Sequence, residues 1–233
     1  MDLELDPYLI ERKRIIRRRW KIAGVVALVV GIVAWQWTPI SNAARCWRSK
    51  RLAASAEESL SKGDIKEAFD SAQSAYYLNP SGAPAIRAVA HVLDATGKPF
   101  DALPFWRQLT ALPEATFEDR QAVAEDLLRI GAVEDAAKSV GTLLSEQPKS
   151  PPILRLSARL EAAQGRLPEA LARAKESLEI DPQNSDGRLL VATLLTQSDA
   201  EADRAAAFES LWQLSAEPGT ARLRALEMLA MWK

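Results

Sequence analysis

A glycine returns at a fixed interval along the chain, with Gly63, Gly97, Gly131 and Gly165 spaced 34 residues apart. Pro80, Pro148 and Pro182 keep one phase, and Pro113 falls one residue short of it. A period of this size marks one supersecondary unit stacked several times, because a single such unit cannot bury its own apolar face. Small residues identify the unit. Ala56, Ala90, Ala124, Ala158 and Ala192 precede the glycine position in phase, and Ala68, Ala102, Ala136 and Ala170 follow it. Such residues let two antiparallel helices cross closely, and glycine tolerates the left-handed backbone of the turn between them. The period therefore predicts an all-α superhelical solenoid of helix-turn-helix units.

The unit is cleanest in Pro151–Asn184, where Ala158, Gly165, Leu167, Ala170, Ala174, Ser177 and Pro182 fall in order. The first unit repeats the pattern with Ala56, Gly63, Asp64, Ile65, Ala68, Ala72, Ala75 and Pro80. The third has Ala124, Gly131, Val133, Ala136, Val140, Leu143 and Pro148. The second carries Trp106 in its stripe and Pro104 inside its second helix, where a kink or a short first turn is expected. The fifth has Asp199 in place of glycine and a longer polar turn over Ser198–Arg204. On these residues the chain from about Lys50 onward resembles the tetratricopeptide repeat family. The resemblance implies about five repeats over 50–218 (about 50–82, 83–116, 117–150, 151–184 and 185–218). Residues 219–233 then read as the first helix of a further or truncated repeat. Trp106 and Trp212, on second helices, are expected to pack between repeats.

In such a solenoid the first helix of each unit lines the concave face, the default site for a protein or peptide partner. Projecting first-helix positions onto that face selects Glu57 with Ala53 and Leu60, then Arg87, His91 and Asp94. Gln121 and Glu125 follow with Leu128, then Arg155 and Arg159 with Ala162, and Leu189, Thr193 and Thr196. The arginines suit a carboxylate through paired hydrogen bonds, unless neighbouring carboxylates already hold them. His91 reads as a polar surface residue or as a group that senses pH or contacts a ligand. The family's lysine and asparagine clamp is not matched, since Ala53 and Glu57 stand at the corresponding first-repeat positions.

The amino-terminal part has a different character. Residues 22–40 form an uncharged apolar run flanked by Trp20, Trp35 and Trp37 and preceded by seven basic residues, Arg12 to Lys21. As a helix, this run would reach roughly 28 Å, close to the hydrocarbon thickness of a bilayer. The pattern predicts a basic cytoplasmic stub (1–21), a transmembrane signal-anchor helix (22–40) and a juxtamembrane linker (41–49). By the positive-inside rule it places the repeats outside the cytoplasm of a single-pass cell-membrane protein. A cleaved signal ending near Ala44, a lipoprotein signal at Cys46 and a buried core helix are the rival readings.

Charge narrows the partner class. Residues 1–50 hold ten Lys/Arg against four Asp/Glu, and the remainder holds twenty against twenty-seven. An acidic repeat region argues against nucleic acid as the ligand. One cysteine (Cys46) and one histidine (His91) exclude a disulfide framework and a Cys/His metal cluster. With no phosphate loop, serine elbow or catalytic constellation, neither an enzyme nor a small-molecule cofactor is expected. The resulting reading is a scaffold for protein–protein interactions in an envelope assembly or an export or chaperone system. The alternative is the recruiting or regulatory region of a larger enzyme whose catalytic domain lies beyond Lys233.

Overall fold

The computed structural model describes residue 31 and residues 42–232, and all regular structure among them is helical. Helix α1 covers 42–61. It is followed by α2 (Ile65–Leu78), α3 (Ala83–Ala95), α4 (Pro99–Thr110), α5 (Phe117–Arg129) and α6 (Val133–Glu146). Next come α7 (Pro151–Ala163), α8 (Leu167–Ile180), α9 (Ser185–Leu195), α10 (Glu201–Ala216) and α11 (Thr220–Ala230). Residues 42–49, expected as a linker, are instead the opening turns of α1. Ser49 is buried there and its hydroxyl donates to the Ala75 carbonyl at 2.8 Å, which docks the start of α1 on the end of α2.

The turns follow from the periodic glycines. Gly63 and Gly131 both have φ of 78°, a conformation open to glycine and strained for other residues. A side chain there would meet nothing within 4 Å, so the requirement for glycine is conformational and not one of space. The Gly131 amide bonds the Leu128 carbonyl at 3.1 Å and the Ala132 amide bonds Leu127 at 2.8 Å. This paired closure satisfies the last carbonyls of α5. The fifth turn has no left-handed residue. There the Ser198 hydroxyl donates to Asp203 at 2.6 Å and accepts from the Ala200 amide at 3.3 Å. Helix α4 runs through Pro104, which removes only the donor to the Phe100 carbonyl.

Ala56, Ala68, Ala90, Ala102, Ala124, Ala136, Ala158, Ala170 and Ala192 are fully buried at the helix crossings. The core is a seam of overlapping clusters running from α1 to α11, with Trp106, Ile86, Leu109, Ile153 and Leu154 among its largest side chains. In the fifth unit Ala207, Leu211 and Leu214 supply the buried stripe of α10. Trp212, expected between repeats, is instead 61% exposed and stacks on Phe208.

The apolar segment 22–40 lies, apart from residue 31, outside the described residues, as does the basic segment before it. The single-pass cell-membrane placement, with the repeats on its far side, is corrected. No helix among the described residues is long and apolar enough to cross a membrane.

Candidate functional site

Successive first helices build the inner face. Helix α5 lies close on α7, α7 on α9, and α9 on α11. Helix α3 is linked to α5 by long charged side chains, and Ala122 and Val123 of α5 pack on the core cluster of Ile86, Ala90 and Leu93. Arg87 donates from Nε and Nη2 to the two oxygens of Asp119, at 2.7 Å each. Asp119 is also the third residue of α5 in a capping box, accepting from the Thr116 amide at 2.8 Å. Burial pushes the Asp119 carboxyl up, but the Arg87 bonds and the Thr116 amide together hold it below its ordinary value. The expected groove residue Arg87 is thus committed to an internal bidentate pair.

Five more of the expected residues are also engaged. Glu57 Oε1 accepts from His91 Nδ1 at 2.7 Å, and the imidazole packs edge-on against Trp106 with ring centroids 5.1 Å apart. Asp94 accepts from Trp106 Nε1 at 2.8 Å and from Arg129 Nη1 at 2.9 Å. Gln121 donates to Glu125 at 2.7 Å along α5. Arg155 sends its stem against the start of α9, where a side chain at Gly187 would come 3.6 Å from its Cδ, and its Nη1 is buried without a hydrogen-bond partner. Ala53 and Leu189, projected inward, belong to the core.

The open part of the face lies further along. A cavity of about 570 Å³ is lined by Glu125, Leu128 and Arg129 of α5, Leu156, Arg159 and Ala163 of α7, Asp186 of α9, and Thr220 and Arg224 of α11. Four first helices contribute to it and no second helix does. Of the eight site residues expected from the sequence, the cavity gathers Glu125 and Arg159. It adds Arg129, Asp186 and Arg224, which projection did not select. Among the described residues Glu125, Arg159, Asp186 and Arg224 have no ion-pair partner, whereas Arg129 is held by Asp94 and Asp126. The lining can therefore present hydrogen-bond donors and acceptors of both signs to a polar chain.

Two carboxylates missed at the sequence level had a visible signal. Asp119 stands in phase with Ala85, Ile153 and Gly187, and Asp126 with Val92, Leu160 and Leu194. All of these positions are buried. The first repeat differs, with the exposed Arg51 and Glu58 in these phases, but an acid at a position that the second, fourth and fifth repeats fill with apolar or small residues marks a buried polar contact.

No protein-family model matches the chain, and no curated protein matches it. Solved structures do. The type IV pilus biogenesis factor PilW is 18% identical with a TM-score of 0.61, over 77% of this chain and 83% of that one. The Pseudomonas aeruginosa protein pilF is 16% identical with a TM-score of 0.58, over 80% of this chain and 86% of that one. TTC0263, a thermophilic TPR protein of Thermus thermophilus, is 15% identical with a TM-score of 0.64, over 78% of this chain and 99% of that one. At these identities the likeness is one of fold, and the fold is that of a tetratricopeptide-repeat solenoid.

Proposed function

We propose that this protein is a non-catalytic interaction scaffold that holds a polar peptide segment of a protein partner in the cavity between α5, α7, α9 and α11. The observation that carries the reading is the set of unpaired charges there. Among the described residues Glu125, Arg159, Asp186 and Arg224 line one concave surface without an ion-pair partner, Glu125 accepting only from the neutral Gln121, while the adjacent inner face is closed by its own ion pairs. Charged groups kept unpaired in a concavity can exchange water for a ligand at low cost, whereas groups already paired must first be separated. The mixed signs favour a segment carrying both acidic and basic side chains over a purely acidic one. The shared fold with the type IV pilus biogenesis factor PilW supports, as the class of partner, a subunit of a multiprotein assembly such as a pilus machine.

Site-specific photo-crosslinking in the native cells tests this. A photoreactive residue at Arg159 or Arg224 should capture one defined protein, and Arg224→Glu should abolish capture from position 159. A control at Tyr77, 84% exposed on α2, should not capture it. Equal capture from Tyr77, or none from either cavity position, would sink the proposal.

A further inference from the structure

The junction between α3 and α5 holds two carboxyl groups and one guanidinium. The Asp126 side chain is 1% exposed, and neither of its oxygens accepts an aligned hydrogen bond. Its Oδ1 lies 2.9 Å from Arg129 Nη1, and the same nitrogen lies 2.9 Å from Asp94 Oδ1. Asp94 has donors at both oxygens, from Trp106 and Arg129, so the junction is one donor short at Asp126. A buried Asp126 and a partly buried Asp94 against the single, half-exposed Arg129 leave the junction with an excess negative charge. A proton held between the carboxyls supplies the missing donor and removes the excess charge. Burial and the neighbouring Asp94 carboxyl push Asp126 up to about 7, against the pull of Arg129.

We propose that Asp94 and Asp126 share one proton that locks α3 to α5, and that losing it as pH rises loosens this joint and draws Arg129 away from the inner cavity. The groups around the pair are few. Helix α3 presents Asp94 and, beyond the Trp106 ring, His91 paired with Glu57 of α1. Helix α5 itself adds Arg129 and Glu125. Arg159 of α7 shares the cavity with them, and the α6 residues in the adjoining core are the apolar Ala136, Val140 and Leu143. Helices α5, α7, α9 and α11 touch one another in turn, whereas α3 meets α5 through these side-chain links, so this joint is the place where the solenoid can flex. The proton lock stands on the junction's own geometry; its effect on partner capture rests on the groove reading above.

The test is a pH titration of aspartate carboxyl carbons by NMR, with thermal unfolding of the wild type, Asp126→Asn and Asp126→Leu. Asparagine imitates the protonated acid, and leucine is what Leu160 and Leu194 place in the same phase. A group raised in the folded state stabilises fully below its unfolded value of about 3.9 and loses that contribution as pH rises through its folded value. One aspartate should therefore titrate in the neutral range and be absent in Asp126→Asn. The wild type's Tm should fall relative to both variants by roughly 5 °C between pH 4.5 and 7.5. Ordinary titration of Asp126, or a Tm difference constant with pH, would overturn the lock. Crosslinking from Arg159 should vary with pH in the wild type and not in Asp126→Asn. Capture independent of pH in the wild type overturns the link to the cavity, while no capture at any pH defeats the groove reading alone.

Discussion

The inner face has two halves built on the same helix phase and finished in opposite ways. In the first three repeats Glu57 meets His91, Arg87 meets Asp119, and Arg129 meets Asp94, so each link joins one first helix to the next. From the third repeat to α11 the same row is open, with Glu125, Arg159, Asp186 and Arg224 around a cavity. Positions 57, 91, 125 and 159 share one phase, yet Glu57 and His91 touch while Glu125 turns along its own helix to Gln121. The groove is therefore not uniform. Charge on the closed half joins first helices to one another, and charge on the open half is in no such cross-helix pair among the described residues.

Substitutions in the closed half should therefore cost stability. The largest effect is expected at Arg87. Its alanine variant leaves Asp119, whose side chain is 3% exposed, with the Thr116 amide alone, and should lower unfolding free energy by about 2–3 kcal/mol. Because Arg87 helps hold Asp119 below its ordinary value, the native pair contributes above the unfolded carboxylate value and that contribution fades as pH falls through the lowered folded one. Chemical denaturation at pH 7 and pH 3 measures both. An Arg87→Ala loss that is as large at pH 3 as at pH 7 would break the assignment of the pair as structural.

Arg155 sharpens the boundary between the halves. Its stem packs against α9, and its buried Nη1 has no partner. Methionine keeps the packing and removes the unsatisfied donor, so Arg155→Met should raise stability by about 1 kcal/mol. Urea denaturation of the variant and the wild type decides it. A loss of similar size would mean that the guanidinium is satisfied after all and belongs with the closed half.

The turns and helix crossings were legible because they depend on local conformation and residue size, which recur in phase: Gly131 needs its left-handed φ and Ala124 its small volume whatever lies nearby. What escaped depends on departures from that phase. Asp119 and Asp126 sit at core positions, and projection of inner-face positions passes over them. Trp212 turned outward because the Ser198–Asp203 turn replaces the glycine turn, and the buried alanine of α10 is Ala207, three residues beyond the in-phase position 204. Residues 42–49 carry no repeat signal, yet docking of Ser49 on Ala75 extends α1 across them. Of the candidate site, Glu125 and Arg159 were readable from periodicity. Arg224 was not, since it needs α11 to close the row, and α11 begins after an irregular unit.

The smallest expected change in stability, at the open half, is also the most discriminating. Arg159 and Arg224 are exposed, and among the described residues neither is in an ion pair. Replacing either by alanine should alter unfolding free energy by no more than about 0.5 kcal/mol, the range of ordinary surface substitutions. The same replacements should weaken partner capture, because each removes a donor from a concavity where water is displaced on binding. Unfolding curves and crosslinking yields on the same variants separate the two roles. An Arg159→Ala variant that loses as much stability as Arg87→Ala would show that the row of ion pairs continues along the whole inner face, and the distinction between a closed and an open half would fall with it.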